Sequence, residues 1–211
     1  MTLGSAGAPG WDLARARIVA SHTFRVARAF RSGAGREEPC KKRSMIDLHW
    51  IAEHLAIGAR FPMEACESLV REHGVQSVVD VRQEASDDPE ALGRHGLELL
   101  HLPTPDMAGV PVDLLDRGVD WVRGRMSLGR RVLIHCEHGI GRSALLGCCV
   151  LVAEGAAPLD ALRHAKSRRK VMAFSVAQQQ RFVEWCRTHR ERSGRRYDLP
   201  DPEAIQRIVW T

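Results

Sequence analysis

The chain predicts an α/β fold, a central and mostly parallel sheet flanked by helices. Two observations carry that expectation. Short apolar, β-branched runs at 75–81 and 131–135 alternate with longer segments whose apolar residues recur at helical spacing. The segments between strands are long enough to hold a crossover helix, as parallel neighbours require.

In order, residues 49–56 read as short extended segments closing on Gly58. Pro62 opens a helix with Ala65, Leu69 and Val70 that ends near Gly74. Residues 75–81 and 97–102 are strands, the second followed by a Pro-Thr-Pro-Asp loop. Leu114, Leu115, Val119 and Val122 define a helix over 112–126 that Gly129 stops. The strand 131–135 then runs through a glycine-rich loop into a helix over about 141–154. Pro158 opens another helix, and 176–190 forms one with Phe182 and Trp185 on one face. Behind Pro200 and Pro202, residues 203–210 are a short helix candidate.

Three segments follow: a basic leader at 1–45, a folded domain at 46–192 and a C-terminal tail at 193–211 with no assigned role. The leader reads as disordered or weakly helical. Its Arg-rich, acid-poor composition also suits an organelle transit peptide. A true start at Met45 is the favoured alternative, because coherent fold signals begin at Ile46.

Residues 1–44 hold nine Lys/Arg against three acids, +6, so the total of +5 leaves the remaining 167 residues at −1. The basic charge belongs to the leader, which argues against a nucleic-acid-binding domain. No apolar run approaches the roughly 20 residues that span a bilayer. The six cysteines form no C-x-x-C pair and no secretory signal precedes them. Reduced thiols and a cytoplasmic location are therefore expected.

The chemistry concentrates in His135-Cys136-Glu137-His138-Gly139-Ile140-Gly141-Arg142-Ser143. A strand ends in a cysteine, and a glycine-rich loop then leads to an arginine where a helix begins. Such a loop can aim several N–H groups at one point, and the helix N-terminus adds partial positive charge there. An oxyanion held at that point lies against Cys136 and Arg142. Thiolates rather than thiols are nucleophiles, and a helix N-terminus beside a cation favours them. The planar Arg142 fork can clamp two phosphoryl oxygens. An inert buried cysteine, as expected for Cys148 and Cys149, would leave Gly139, Gly141 and Arg142 without a joint explanation.

The run His135-Cys136-x5-Arg142-Ser143 resembles the signature of cysteine-dependent protein tyrosine phosphatases, and the surrounding order is similar to their compact dual-specificity branch. The resemblance covers about 46–188 and is strongest at 99–145. It implies a dual-specificity phosphatase-like fold with Cys136 as nucleophile and Arg142 as phosphoryl clamp. The loop residues Glu137, His138, Gly139, Ile140 and Gly141 would line the substrate. By the same resemblance, Ser143 makes the sulfur a better leaving group, and His135 orders the loop structurally.

A leaving alkoxide or phenoxide needs a proton. Asp106, 30 residues before Cys136 and separated from it by one helix and one strand, is the candidate acid, with Asp113 in reserve. The resembled family carries its acid in this element. Arg82 and Glu84, at the carboxyl end of a strand, are placed for contact with the loop or substrate, or for a surface ion pair. The run Ser167-Arg168-Arg169-Lys170 either rings the pocket or is simply solvated. Gln179 resembles the glutamine that positions hydrolytic water in some family members. Glu137 and His138 stand where phosphoinositide-directed members commonly have lysines. An acidic Glu137 would repel extra phosphates.

The expected activity is hydrolysis of phosphomonoesters, on protein phosphotyrosine, phosphoserine or phosphothreonine or on a small molecule, through a cysteinyl-phosphate. No metal ligands cluster and no cofactor is expected. The partners are the phosphorylated substrates, and the oligomeric state is not legible. The competing readings are an RNA 5′-triphosphatase or an inositol or lipid phosphatase on the same loop, a silent phosphate-binding module, and a sulfurtransferase. Retention of Cys136, Arg142, Asp106 and Ser143 together weighs against the last two.

Overall fold

Five strands form one sheet in the order β1-β2-β5-β3-β4, in a computed structural model that describes residues 46–210. The leader, and with it the Met45 and transit-peptide readings, lies outside the described residues. Strands β1 (Leu48–Ala52) and β2 (Leu55–Gly58) make an antiparallel hairpin at one edge. Strands β3 (Val75–Arg82), β4 (Glu98–Thr104) and β5 (Arg131–His135) run parallel to each other, and β2 pairs parallel with β5. The sheet is mostly parallel, as the alternation of strands and helices predicts.

Side-chain alternation along the strands divides the core between two faces. On β5, Val132 and Ile134 face one cluster and Leu133 the other; on β3, Val79 and Val81 oppose Val78. Helices α1 (Cys66–Arg71) and α2 (Pro89–Arg94) contribute Leu69 and Leu92 to the smaller side. The short α2, capped by Asp88 onto Glu90 N, is absent from the sequence reading. Its six residues are too few for a helical period to emerge.

The larger side holds α3 (Val112–Ser127), α4 (Arg142–Ala153), α5 (Pro158–Arg168), α6 (Val176–Ser193) and α7 (Pro202–Val209). Helix α4 is apolar almost all round because it is buried from Arg142 to Val150, which accounts for Cys148 and Cys149 inside it. Burial pushes the thiols of Cys148, Cys149 and Cys186 well up, so they are inert.

The boundary expected at 192 is not a structural one. Helix α6 runs to Ser193, and α7 inserts Ile205 and Val209 into the main core. The Pro-rich stretch before α7 conceals this, since its register on the core depends on α5 and α6. No helix of the described residues is long and apolar enough to cross a membrane.

Candidate active site

The site lies beyond the carboxyl ends of the parallel strands, where such sheets bind ligands. Strand β5 ends at His135, residues 136–141 form the loop, and Arg142 opens α4. Cys136 is 3% exposed at the base of a cleft of about 160 Å³. Its Sγ lies 3.4 Å from Ser143 Oγ.

Four consecutive loop carbonyls are bonded on the outside. Glu137 O accepts from Arg60 N (3.2 Å) and Ile140 O from Ala173 N (3.2 Å). His138 O accepts from Arg169 Nη2 (3.0 Å) and Gly139 O from Arg169 Nε (2.6 Å). With the carbonyls so engaged, peptide geometry turns the loop N–H groups the opposite way, toward the cradle. Gly139 has φ +65°, and a Cβ there would meet Gly58 O at 2.5 Å, so only glycine fits.

Of the basic run expected either to ring the pocket or to be solvated, Arg169 holds the loop from outside. It is fully buried, and Asp47 grips its guanidinium through two bonds of 2.7 and 2.8 Å. That contact holds the Asp47 carboxyl below its ordinary value. Placed within a charged run, Arg169 carries no local mark that distinguishes it from Arg168, which is exposed.

Arg142 is 1% exposed and heavily bonded. Its Nη1 donates to Glu84 Oε2 and Thr104 O, both at 2.8 Å, and its Nη2 donates to Glu84 Oε1 at 2.7 Å. Asp106 Oδ1 is 3.0 Å from Nη2. Hydrogen bonds from Arg142 hold the Glu84 carboxyl down at about 2, despite some desolvation. Arg142 Nε is buried and has no partner. A buried charged donor without an acceptor is costly, and a phosphoryl oxygen would satisfy it.

Asp106 lines the cleft together with Cys136, whereas Asp113 sits in the first turn of α3. The loop after Asp106 is pinned to the start of α6. Ser175 Oγ donates to Met107 O (2.7 Å) and Gln178 Nε2 to Ala108 O (3.3 Å). Met107 itself has φ +60°, unusual for a side chain of its size, and these contacts hold it there.

Of the loop residues expected against substrate, His138, Ile140 and Gly141 line the cleft. Glu137 does not; its carboxylate pairs with Arg60 Nε at 2.6 Å. Its charge is paired there, outside the cleft lining.

Arg82 is buried against Asp80 and Asp87 and reaches the loop, its Nη1 3.7 Å from Glu137 Oε2, without lining the cleft. Residues two apart on a strand share a face, so Asp80 and Arg82 meet. Gln179 is buried and donates to Phe174 O at 3.1 Å, while its neighbour Gln178 lines the cleft. One position turns a helix by about 100°. Ser175 and Gln178 form a capping box, and the S-x-x-Q spacing in the sequence is the signal that picks out Gln178.

His135 is fully buried, 2.8 Å from Asp87 Oδ2, and stacks edge-on against Phe61. Asp80, Asp87 and His135 lie close enough to share a cation. Arg82 already donates to both carboxylates, so its guanidinium fills that place.

A buried cysteine below a loop of inward N–H groups, with an arginine fork and an aspartate above, defines the phosphatase class of fold built on a Cys-x5-Arg loop. Residues 61–156 match the family model described as a polymorphic toxin system DSP-PTPase phosphatase. Over that span the chain is similar to the compact dual-specificity-like branch of the cysteine-dependent protein tyrosine phosphatases. The human protein phosphatidylglycerophosphatase and protein-tyrosine phosphatase 1 is 31% identical over 110 residues, 49% of this chain and 55% of that protein. The chain thus spans about half the length of the curated relatives it matches. Two solved structures share the fold. Tk-PTP in its active form has a TM-score of 0.61 at 24% identity, over 66% of this chain and 95% of that one. PTPMT1 in complex with PI(5)P has a TM-score of 0.65 at 22% identity, over 69% and 98%.

Proposed function

We propose that the chain is a phosphomonoester hydrolase acting through a cysteinyl-phosphate. The observation that carries this reading is the buried Arg142, its Nε unpartnered and its Nη2 3.0 Å from Asp106, which lines the cleft with Cys136. A phosphate in the cradle receives bonds from the loop N–H groups and from Arg142 Nε and Nη2. Asp106 then exchanges its contact with Arg142 for the ester oxygen.

Cys136 thiolate attacks phosphorus, the P–O bond to the leaving group breaks, and Asp106 delivers the proton that neutralises the leaving oxygen. A water then attacks the cysteinyl-phosphate while Asp106, now a carboxylate, accepts its proton. Ser143 donates to the departing sulfur, which the 3.4 Å separation permits. Arg142 and the loop stabilise the equatorial oxygens throughout, and Glu84 and Thr104 O fix the guanidinium plane.

Hydrolysis of an aryl phosphate tests this. Cys136→Ser is expected to abolish turnover, and Asp106→Ala to lower kcat by about 10²–10⁴-fold. Retained activity in Cys136→Ser overturns the mechanism.

A phosphorylated lipid is the second reading. It is favoured by the name of the human relative and by the pairing of Glu137 with Arg60, which takes an acidic charge away from the cleft. Turnover of phosphatidylglycerophosphate in vesicles, set beside a phosphotyrosyl peptide, separates the two substrate classes.

A further inference from the structure

The C-terminal segment, which had no role in the sequence reading, reaches the site. Helix α7 is capped by Asp201 onto Ala204 N (3.0 Å) and anchored in the core by Ile205 and Val209. Lys166 Nζ donates to Val209 O (2.8 Å) and Met172 O (2.9 Å), which ties the end of α7 to the segment carrying Ala173 and Phe174. Trp210 follows directly, its N–H bonded to Gln206 O at 3.1 Å. Its indole lines the same cleft as Cys136, yet it is 64% exposed.

Met107 and Ile140 are also exposed and also line the cleft, and the buried Phe174 completes an apolar wall. An indole left mostly in water on a firmly anchored helix gains by being covered. With phosphate held at Cys136 as in the phosphatase reading, the group that covers the wall is the substituent on the ester oxygen.

We propose that Trp210 is a specificity-determining residue that grips the leaving group and favours aryl over polar alkyl phosphates, with Lys166 as a positioning residue. This rests on the phosphatase reading above. A flat ring joined directly to the ester oxygen presents its face to Trp210 and Met107. A glycerol or serine leaving group brings polar atoms to the same wall, where nothing apolar is gained.

The test compares wild type, Trp210→Ala, Trp210→Phe and Lys166→Met, all checked for unchanged melting temperature. 2-Naphthyl phosphate reads the wall, and inorganic phosphate as competitor reads the cradle alone. For Trp210→Ala, KM for 2-naphthyl phosphate is expected to rise about three- to tenfold with kcat little changed. The inhibition constant of phosphate stays constant, Trp210→Phe recovers most of the loss, and Lys166→Met shows part of it.

An unchanged KM overturns the proposal, and so does a parallel loss of phosphate affinity, which would mean a general collapse of the site. A loss confined to glycerol phosphate or phosphatidyl substrates overturns the aryl preference. Wild-type turnover tests the phosphatase reading separately. The ratio of dissociation constants for 2-naphthyl phosphate, wild type against Trp210→Ala, tests Trp210 without turnover.

Discussion

Arg142 shows how much a single side chain in this site depends on geometry. Four of its contacts come from Glu84, Thr104 and Asp106, and its buried Nε has no partner. A lysine keeps the charge but cannot present two donors in one plane. Arg142→Lys is therefore expected to lower kcat by about 10²–10³-fold, measured at saturating aryl phosphate, with the fold intact by circular dichroism. A rate within a few-fold of wild type would show that the fork is not used. The Glu84 carboxyl, held down at about 2, stays ionised through the working range and keeps the guanidinium fixed.

At the scale of elements, the cradle is held from outside by the junction after α5. Arg169 bonds two loop carbonyls and Asp47 together, joining the loop, β1's approach and the α5 terminus at one buried cation. Arg169→Met removes those donors while keeping a similar stem. It should destabilise the protein by about 3 kcal/mol and weaken inorganic phosphate binding by more than tenfold, read by denaturant unfolding and calorimetry. Arg168→Met, on the exposed neighbour, serves as the control and should change neither. Equal effects of the two substitutions would refute the locking role of Arg169.

Across the whole molecule, the two-sided sheet buries a charged network beneath the site. Burial alone would push the Asp80 carboxyl up, but hydrogen bonds and charge from Arg82, together with His135, hold it below its ordinary value. A carboxyl depressed in the folded state stabilises the protein above its unfolded value of about 3.9. That contribution is lost as pH falls through the folded value. Stability to urea should therefore fall on acidification below about pH 4, whereas Asp80→Asn should be less stable at pH 7 and show a flatter acid limb. An equally steep limb in Asp80→Asn would assign the acid sensitivity to other carboxylates, such as Asp47.

How much of this was legible in the chain depended on whether the signal was local. The strand-loop-helix run from 131 to 154 is a pattern of periodicity, glycine spacing and helix start. It therefore identified the sheet, the loop, Cys136, Arg142 and Ser143 together. Asp106 was legible because one helix and one strand return its loop to the same sheet edge. Glu137 and Gln179 point away from the cleft because a few residues or one helical step decide which way a side chain faces. The particular roles of Arg169 and Trp210 have no local signal. Each acts on residues far away in sequence, across a packing of α5 and α7 that no local pattern encodes. Covalent neighbours and short-range periodicity carry the fold class and the residues gathered at the end of β5. Tertiary structure alone decided what locks the loop and what faces the leaving group, because burial and long-range hydrogen bonds exist only once the helices have docked.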